Sequence, residues 1–364
     1  LVQNNDGSFS SSTDVFMGSY AYGSATGDWD GDGDMDLAWA NNNTGGVTIN
    51  LNNGDASFPA IGNVFYSSGG NSVELDLGDF DEDGIQDIIV ANGVQDNFAF
   101  LKGNGDGLFG KLTLLAGYGA AGICSADFNS DGHPDILNTN HFPPYSLALS
   151  LNNGDGSFQP TTFADAPYSS EECISSDINL DGNMDVVVHA AGGFTVIPGN
   201  GNGTFSLPVA YPSVNNGSGG ERTIVSGDFN GDGNTDLAGA KISDNIMAVV
   251  YGNGDGTFGP PATYEGMNYP RALVSGDLNG DGADDIAITS IDDEVLVFFG
   301  GTDSQLSDPL HLDTPGSPSG ICTFDCNTDG NSDLIVVAAG LGKIYTFIGY
   351  GDGTFTGPIE TNTP

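Results

Sequence analysis

The sequence predicts an all-β chain: a seven-bladed β-propeller of four-stranded antiparallel blades, forming a single domain over residues 1–364. An Asp-rich stretch such as GDFNGDGNTD (227–236) recurs about every 50 residues, a spacing typical of repeat architectures. Its seven copies begin at Asp28, Asp79, Asp127, Asp177, Asp228, Asp277 and Asp325. Short β-type segments separate the copies, and none has a helical period. Seven units of four short strands are typical of a propeller.

The repeat at 222–271 shows the four predicted strands in order. RTIVSGDF (222–229), DLAGAK (236–241) and NIMAVVYG (245–252) are apolar or β-branched segments, which favour strands. GPPATYEG (259–266) contains two prolines, and only an outermost strand tolerates them. The Gly-rich turn NGDGTF separates the last two strands, because Gly adopts the positive φ that a tight turn needs.

Copies of this turn are more numerous than the Asp loops by one, and the additional copy, NNDGSF (4–9), lies at the start of the chain. Either this opening segment or the C-terminal GTFTGPIETNTP (353–364) supplies the outer strand of the last blade. A surplus strand could pair with a neighbouring molecule, so self-assembly through a terminal strand is a hypothesis.

The Asp loops have the composition of a calcium site. Counted from the first Asp, positions 1, 3, 5 and 9 carry Asp or Asn, and position 6 is always Gly. Ca²⁺ takes about six to eight oxygen ligands, and position 7 should add its backbone carbonyl oxygen, so we predict about seven ions, one per blade. The predicted ligands, loop by loop, are Asp28, Asp30, Asp32, Asp34 and Asp36; Asp79, Asp81, Asp83, Ile85 and Asp87; Asp127, Asn129, Asp131, His133 and Asp135; Asp177, Asn179, Asp181, Asn183 and Asp185; Asp228, Asn230, Asp232, Asn234 and Asp236; Asp277, Asn279, Asp281, Ala283 and Asp285; and Asp325, Asn327, Asp329, Asn331 and Asp333.

Two other interpretations of the loops are less consistent with the sequence. An EF-hand starts with the same pattern but needs a Glu at position 12 and flanking helices, whereas the last acid here is Asp at position 9. A solvated Asp/Asn/Gly turn explains one copy, but not seven copies with every ligand position filled. Position 2 is apolar in all copies, from Trp29 to Cys326, which predicts that it anchors the loop in its blade.

The loop D-x-[DN]-x-D-G-x-x-D and the turn GNGDGTF resemble the FG-GAP/VCBS repeats of integrin α-subunit propellers and of many secreted microbial proteins. The resemblance covers nearly the whole chain. It implies a calcium-stabilised propeller, extracellular or at the cell surface, that serves in adhesion or in recognition of a protein or glycan. Some fungal lectins have similar turns, but their recurrent Trp and Arg/His sugar-site motifs are missing here.

The resemblance also implies that partners bind on the face opposite to the Ca²⁺ loops. Tyr and Arg are typical contact residues, although packing between blades is the alternative role for each of them. The residues predicted on that face are Tyr20, Tyr22, Tyr118, Tyr145, Tyr168, Tyr211, Tyr269, Arg222 and Arg271.

Composition excludes some partners. A formal charge of −43 disfavours nucleic acid and anionic lipid, and the lack of a long apolar run predicts no membrane insertion. The four cysteines form no CxxC pattern, so two disulfides and four free thiols both remain open; they are Cys124, Cys173, Cys322 and Cys326. Sequons at Asn42, Asn202 and Asn216 permit glycosylation.

No catalytic motif accompanies the four histidines, His133, His141, His189 and His311, so we predict that the protein is not an enzyme. The first hypothesis is therefore a recognition or adhesion module. A structural subunit of a surface layer or filament is the second. A polysaccharide-active enzyme such as a lyase, using residues such as His141 or Tyr145, is the third.

Overall fold

The computed structural model describes residues 2–3, 9–10, 21–33, 36–41, 45–51, 64–68, 70–93, 95, 97–110, 112–117, 119–140, 146–166, 170–190, 193–212, 221–241, 244–302, 305–325, 329–338 and 343–362. Predicted functional residues that lie outside these ranges are Tyr20, Asp34, Asn42, Tyr118, His141, Tyr145, Tyr168, Asn216, Cys326 and Asn327. The side chains of Tyr22 and Arg222 are also outside the described set. Predictions for all of these residues stay predictions.

The described residues form thirty strands. A hairpin comes first, made of β1 (Val2–Gln3) and β2 (Phe9–Ser10). Blades 1 to 3 are β3 (Ala21–Gly27), β4 (Asp36–Asn41), β5 (Gly46–Asn50), β6 (Val64–Ser67); β7 (Ser72–Gly78), β8 (Asp87–Asn92), β9 (Asn97–Leu101), β10 (Thr113–Ala116); and β11 (Ala120–Ala126), β12 (Asp135–Asn140), β13 (Ser146–Ser150), β14 (Thr162–Asp165). Blades 4 to 7 are β15 (Ser170–Ser176), β16 (Asp185–Ala190), β17 (Gly193–Ile197), β18 (Val209–Pro212); β19 (Glu221–Gly227), β20 (Asp236–Lys241), β21 (Ile246–Val250), β22 (Ala262–Tyr264); β23 (Leu273–Gly276), β24 (Asp285–Ser290), β25 (Glu294–Phe298), β26 (Leu310–Asp313); and β27 (Pro318–Phe324), β28 (Asp333–Ala338), β29 (Lys343–Phe347), β30 (Ile359–Asn362).

Each blade is one antiparallel sheet whose four strands pair in chain order. Within the described ranges there are seven such sheets, which confirms the predicted all-β architecture of four-stranded repeats. In the repeat at 222–271, β20 coincides with the predicted 236–241 strand. The bounds of β19 are within two residues of the predicted 222–229 segment, and β21 and β22 lie inside the predicted 245–252 and 259–266 segments.

The C-terminal segment supplies the outer strand of blade 7, because β30 pairs with β29. The opening segment instead forms the separate hairpin of β1 and β2, and β2 contacts β30. Of the two predicted ways to complete the last blade, the structure therefore has the C-terminal one, and the N-terminal hairpin is additional to the seven blades.

Apolar packing lies between consecutive blades. Middle strands such as β8, β13 and β21 are buried along their whole length, whereas the outer strands β10 and β14 are mostly exposed. Six apolar clusters of described residues fill the six contacts between consecutive blades from 1–2 to 6–7. Middle strands thus read as nearly continuous apolar runs because both of their faces are covered.

The connections between strands lie at two opposite ends of each blade, the loop edge and the opposite edge. The loop edge carries the Asp loop, between the first and second strands, and the connection between the third and fourth. That connection is a closed Gly-rich turn in the described residues of blades 2 to 5 and 7. The opposite edge carries the links between the second and third strands and the connections from blade to blade. The structure has no helix able to span a membrane among its described residues.

Candidate metal centres

Loop 5 shows how an Asp loop is built. Asp228, at position 1, accepts hydrogen bonds from the backbone N–H groups of Asp232 (3.0 Å) and Gly233 (2.8 Å). Asp232, at position 5, accepts one from the N–H of Asn234 (2.8 Å). These local bonds turn the chain so that the carboxylates of positions 1 and 5 belong to one tight loop.

Gly233, at position 6, has a φ of +84°, and a Cβ atom there would meet nothing within 4 Å. The glycine is therefore required by backbone conformation and not by crowding. Position 4 is also left-handed, even where it is Glu82, Ser130 or Leu180, with φ of 58°, 59° and 57°. Sequence reasoning missed this second constraint, because the residue type at position 4 varies.

Position 9 connects the loop to the turn of the same blade. Asp236 is fully buried and accepts hydrogen bonds from the N–H groups of Phe229 (3.0 Å) and Gly252 (2.7 Å). Equivalent bonds recur in the described parts of the other blades. Position 2, to which one of these N–H groups belongs, is buried in loops 1 to 6, which confirms its predicted anchoring role there.

Burial makes ionisation of the position-9 carboxyls unfavourable. It raises the pKa of Asp87 and Asp135 to about 6 and that of Asp236 and Asp285 to about 7, even though two backbone hydrogen bonds oppose the shift. The charges at positions 1 and 5 raise these pKa values further. A divalent cation would favour the ionised form of all these groups, because it is the largest local charge such a site can hold.

The residues of loops 1 and 2 fit a cation. One oxygen from each of Asp28, Asp30 and Asp36 lies within 4.8 Å of the others, and Asp79, Asp81 and Asp87 form the same arrangement. The Oδ1 atom of Asp81 is buried and has no hydrogen-bond partner among the described residues. An unpartnered carboxylate oxygen inside an acidic triad is the donor that a hard cation such as Ca²⁺ takes.

In three of the blades, a tyrosine hydroxyl of the outer strand contacts the third-to-fourth strand connection of the next blade. The hydroxyl of Tyr211 donates to the carbonyl of Gly256 (2.8 Å), and that of Tyr264 accepts from the N–H of Leu306 (2.8 Å). Tyr66 makes the equivalent contact with Phe109, at 2.9 Å. Tyr211 was expected on the opposite edge; its hydroxyl instead reaches the loop edge, because side chains of the outer strand face the neighbouring turn.

Tyr269 and Arg271 do lie at the opposite edge. The guanidinium carbon of Arg271 is 5.5 Å from the centre of the Tyr269 ring, and both side chains are exposed. The Tyr269 N–H donates to the side chain of Asn245 (2.8 Å), which lies in the link between β20 and β21. Tyr269 has a φ of 50°. A bulky residue in the left-handed region is a backbone outlier of the kind that concentrates at functional sites.

The described cysteines are free thiols, and two of them are neighbours. The Sγ atoms of Cys124 on β11 and Cys173 on β15 are 2.9 Å apart and buried. Burial raises the pKa of the Cys173 thiol well above its usual range, with the Cys124 thiol adding to the shift. Of the two alternatives that the sequence left open, the structure has free thiols at Cys124, Cys173 and Cys322, and Cys326 lies outside the described residues.

The two histidines whose side chains the structure describes each contact a glutamate. His133 contacts Glu82 across loops 3 and 2, and the Glu82 carboxylate raises the pKa of His133. His311 pairs with Glu294 (2.7 Å) on blade 6. His141 lies outside the described residues, as does the side chain of His189.

The profile of the FG-GAP-like repeat matches five segments, 28–90, 79–138, 177–239, 228–288 and 277–336, which together cover more than half of the chain. The chain belongs to the FG-GAP-like repeat family. Each match begins at the first Asp of one Asp loop and ends in the second strand of the next blade. The family profile therefore covers the same repeating unit as the sequence. No curated protein sequence matches at a significant level.

Similar solved structures have different functions. A lectin of Agrocybe aegerita, described as specifically recognising non-reducing terminal N-acetylglucosamine, is 22% identical, with a TM-score of 0.58 and 81% of each chain covered. BBS1N, in complex with ARL6DN, is 11% identical, with a TM-score of 0.61 and coverage of 90% of this chain and 94% of that one. The periplasmic gluconolactonase PpgL of Pseudomonas aeruginosa is 13% identical, with a TM-score of 0.57 and coverage of 95% and 98%. At these identities the likeness shows the β-propeller fold of this FG-GAP repeat protein and no activity.

Proposed function

We propose that the seven blades close into a calcium-stabilised propeller that acts outside the cell as a non-enzymatic recognition or adhesion module. The ions are held by the side chains at positions 1, 3, 5 and 9 of each Asp loop and by the carbonyl at position 7. The partner, a protein or a glycan, binds at the opposite edge. The observation that carries the metal part is the pair of acidic triads in loops 1 and 2, with the unpartnered Oδ1 of Asp81.

Calcium in these loops is structural. It supplies positive charge to carboxylates that the fold buries, and it ties the loop to the strand that begins at position 9. An ion that binds only the folded state adds about 0.4–1.4 kcal/mol per site at about 1 mM Ca²⁺, if the dissociation constant is roughly 10⁻⁴–10⁻³ M as in extracellular modules.

The exposed Tyr269–Arg271 pair carries the recognition part of the proposal. An aromatic ring stacked with a guanidinium offers both a flat apolar face and hydrogen-bond donors, which suits either a sugar ring or a protein contact. The lectin among the similar structures and the propeller solved with a protein partner are consistent with either kind of ligand.

Thermal unfolding in EDTA and in CaCl₂ tests the metal part. We expect a large rise of the melting temperature with Ca²⁺, and Mg²⁺ should give a smaller one because it demands stricter octahedral geometry. Equal melting temperatures in EDTA and CaCl₂ would mean that the Asp loops are metal-free turns.

A glycan array and a panel of extracellular-matrix proteins, probed with the wild-type chain, test the recognition part. Tyr269→Ala should abolish the binding found with the wild type, whereas Tyr350→Ala should retain it. Tyr350 is a matched control, because it is an exposed tyrosine (58%) in a turn of the loop edge. Binding lost in both variants, or in neither, would place the recognition surface elsewhere.

A structural subunit is the second candidate, because the N-terminal hairpin is additional to the seven blades and lies against β30. Light scattering of the wild type and of a chain lacking residues 1–12 distinguishes the two functions. Ordered polymers that disappear with the deletion would favour the subunit, and a monomer in both cases would favour the recognition module. Turnover of an acidic polysaccharide by the wild-type chain would instead overturn the non-enzymatic part of the proposal.

A further inference from the structure

Loop 2 has a lysine beside it. The Nζ atom of Lys102 lies 2.7 Å from Oδ2 of Asp83 and also contacts Oδ2 of Asp81. These aspartates occupy positions 5 and 3, two of the predicted ligand positions. The chain itself therefore places a positive charge beside two carboxylates whose negative charge the proposed calcium ion would otherwise compensate.

The repeat shows that this lysine is specific to blade 2. Lys102 immediately precedes Gly103, whose N–H donates to the position-9 residue Asp87 (2.8 Å). The same bond identifies the equivalent residue in blades 3 to 7, and the turn motif identifies it in blade 1. All six are apolar: Leu51, Leu151, Pro198, Tyr251, Phe299 and Ile348.

Loops 1 and 2 make a natural comparison, since each has the same triad of aspartate oxygens within 4.8 Å. Both also have Asp at positions 1, 3, 5 and 9. They differ at the residue before the turn, Leu51 in blade 1 and Lys102 in blade 2. A divalent ion entering loop 2 must approach or displace an ammonium group that already compensates two of its ligands.

We infer that Lys102 is a built-in cation that lowers the calcium affinity of loop 2 and keeps this loop folded when calcium is scarce. The inference rests on the proposed calcium binding of the other loops. Lys102 serves loop 2 as a partial substitute for the ion, so blade 2 depends less on calcium than its neighbours. The ammonium group leaves Oδ1 of Asp81 without a partner, which is why loop 2 keeps a weakened site and does not lose it.

Calcium titrations of four proteins test this inference, with ions counted by native mass spectrometry and affinities measured by calorimetry. The wild type should bind one ion at least about tenfold more weakly than the rest, because a positive charge in contact with two ligands opposes a second cation. Lys102→Met keeps the aliphatic stem but removes the charge, so this variant should bind that ion as tightly as the others. Lys102→Arg should behave like the wild type.

Leu151→Lys is the reciprocal variant, since it places a lysine at the matching position of blade 3. It should move one further ion from the tight to the weak class, and it tests the inference even if Lys102→Met folds poorly. Hydrogen exchange in EDTA should also show loop 2 more protected than loop 3 in the wild type, with the difference lost in Lys102→Met.

The failure of this inference differs from that of the proposed function. Equivalent ions in the wild type, or an unchanged weak ion in Lys102→Met, would overturn the role of Lys102 while leaving calcium binding in place. The absence of any bound calcium in all four proteins would overturn the metal centres themselves, and the role of Lys102 with them.

Discussion

The loop edge and the opposite edge of the blades follow different rules. At the loop edge the same contacts recur from blade to blade: position 9 accepts two N–H groups, and a glycine at position 6 turns the chain. At the opposite edge the contacts are individual. Asp293, for example, accepts from the N–H groups of Gly316 (3.0 Å) and Ser317 (2.9 Å) on blade 6, while Asn245 holds Tyr269 on blade 5.

From this difference we expect the loop edge to determine the stability of the fold and the opposite edge to determine which partner binds. A contact made in every blade contributes many times over to the folded state but cannot distinguish one partner from another. An edge whose residues differ in each blade can present one particular surface, as loops on a rigid scaffold generally do. Changes at the loop edge should therefore alter the free energy of unfolding, and changes at the opposite edge should alter binding.

Asp236→Ala should give the largest effect on stability. It leaves the buried N–H groups of Phe229 and Gly252 without an acceptor, at about 1–3 kcal/mol each, so we expect a loss of about 2–6 kcal/mol. The measurement is urea unfolding in EDTA, which separates this effect from calcium binding.

Asp255→Ala is the matched control, because Asp255 is an exposed turn residue of the same blade that accepts from Thr257. Its loss should stay within about 0.5 kcal/mol, as for most surface changes. If both variants lose the same free energy, the buried position-9 contact does not dominate the loop edge.

The tyrosine pair Tyr264 and Tyr269 compares the two edges directly. Tyr264→Phe removes the acceptor of the Leu306 N–H and one link between blades 5 and 6, so we expect a loss of about 1–2 kcal/mol. Tyr269→Phe removes only an exposed hydroxyl and should change the free energy of unfolding by less than about 0.5 kcal/mol. Urea unfolding of both variants checks this, and a reversed order would contradict the assignment of stability to the loop edge.

The repeated features were predictable from the sequence, and the individual ones were not. Seven copies of Gly at position 6 and of the apolar position 2 allow the blade, its strand order and its loop to be read from one chain. Tyr264 and Tyr211 contact the next blade across a gap of more than 40 residues, which no local pattern shows. Comparing equivalent positions would have found Lys102, since it stands alone among apolar residues.

The first strands of neighbouring blades make a third kind of contact that sequence reasoning missed, a hydrogen bond from a backbone N–H to a glutamate side chain. Glu74 on β7 accepts a hydrogen bond from the N–H of Ile123 on β11 (3.0 Å), and Glu172 on β15 accepts one from Ile224 on β19 (3.1 Å). Each glutamate therefore contacts the next blade. The contact lies where the pairing between the first and second strands of that blade shifts register. Neither glutamate belongs to a repeated motif, so each appears in the sequence as an ordinary charged residue.

Glu74→Gln should give the smallest of these effects and one that calcium does not change. Burial raises the pKa of Glu74 well above its usual range, and the charges of Glu172 and Asp76 add to this shift. The hydrogen bond from the Ile123 N–H opposes it. The folded state therefore holds this proton more tightly than the unfolded state does. The stability that follows is complete below the ordinary carboxyl pKa of about 4.3 and is lost as pH rises through the raised pKa.

Gln keeps an oxygen for the Ile123 N–H but has no charge to desolvate, so the variant should lose less stability than the wild type as pH rises above about 4.3. We therefore expect the pH profiles of the two proteins to diverge as pH rises. The measurement is the melting temperature against pH, in EDTA and again in Ca²⁺. The difference should be the same in both solutions, because Glu74 lies outside the Asp loops; a difference found only in EDTA would mean that the inner strands and the metal loops act as one unit.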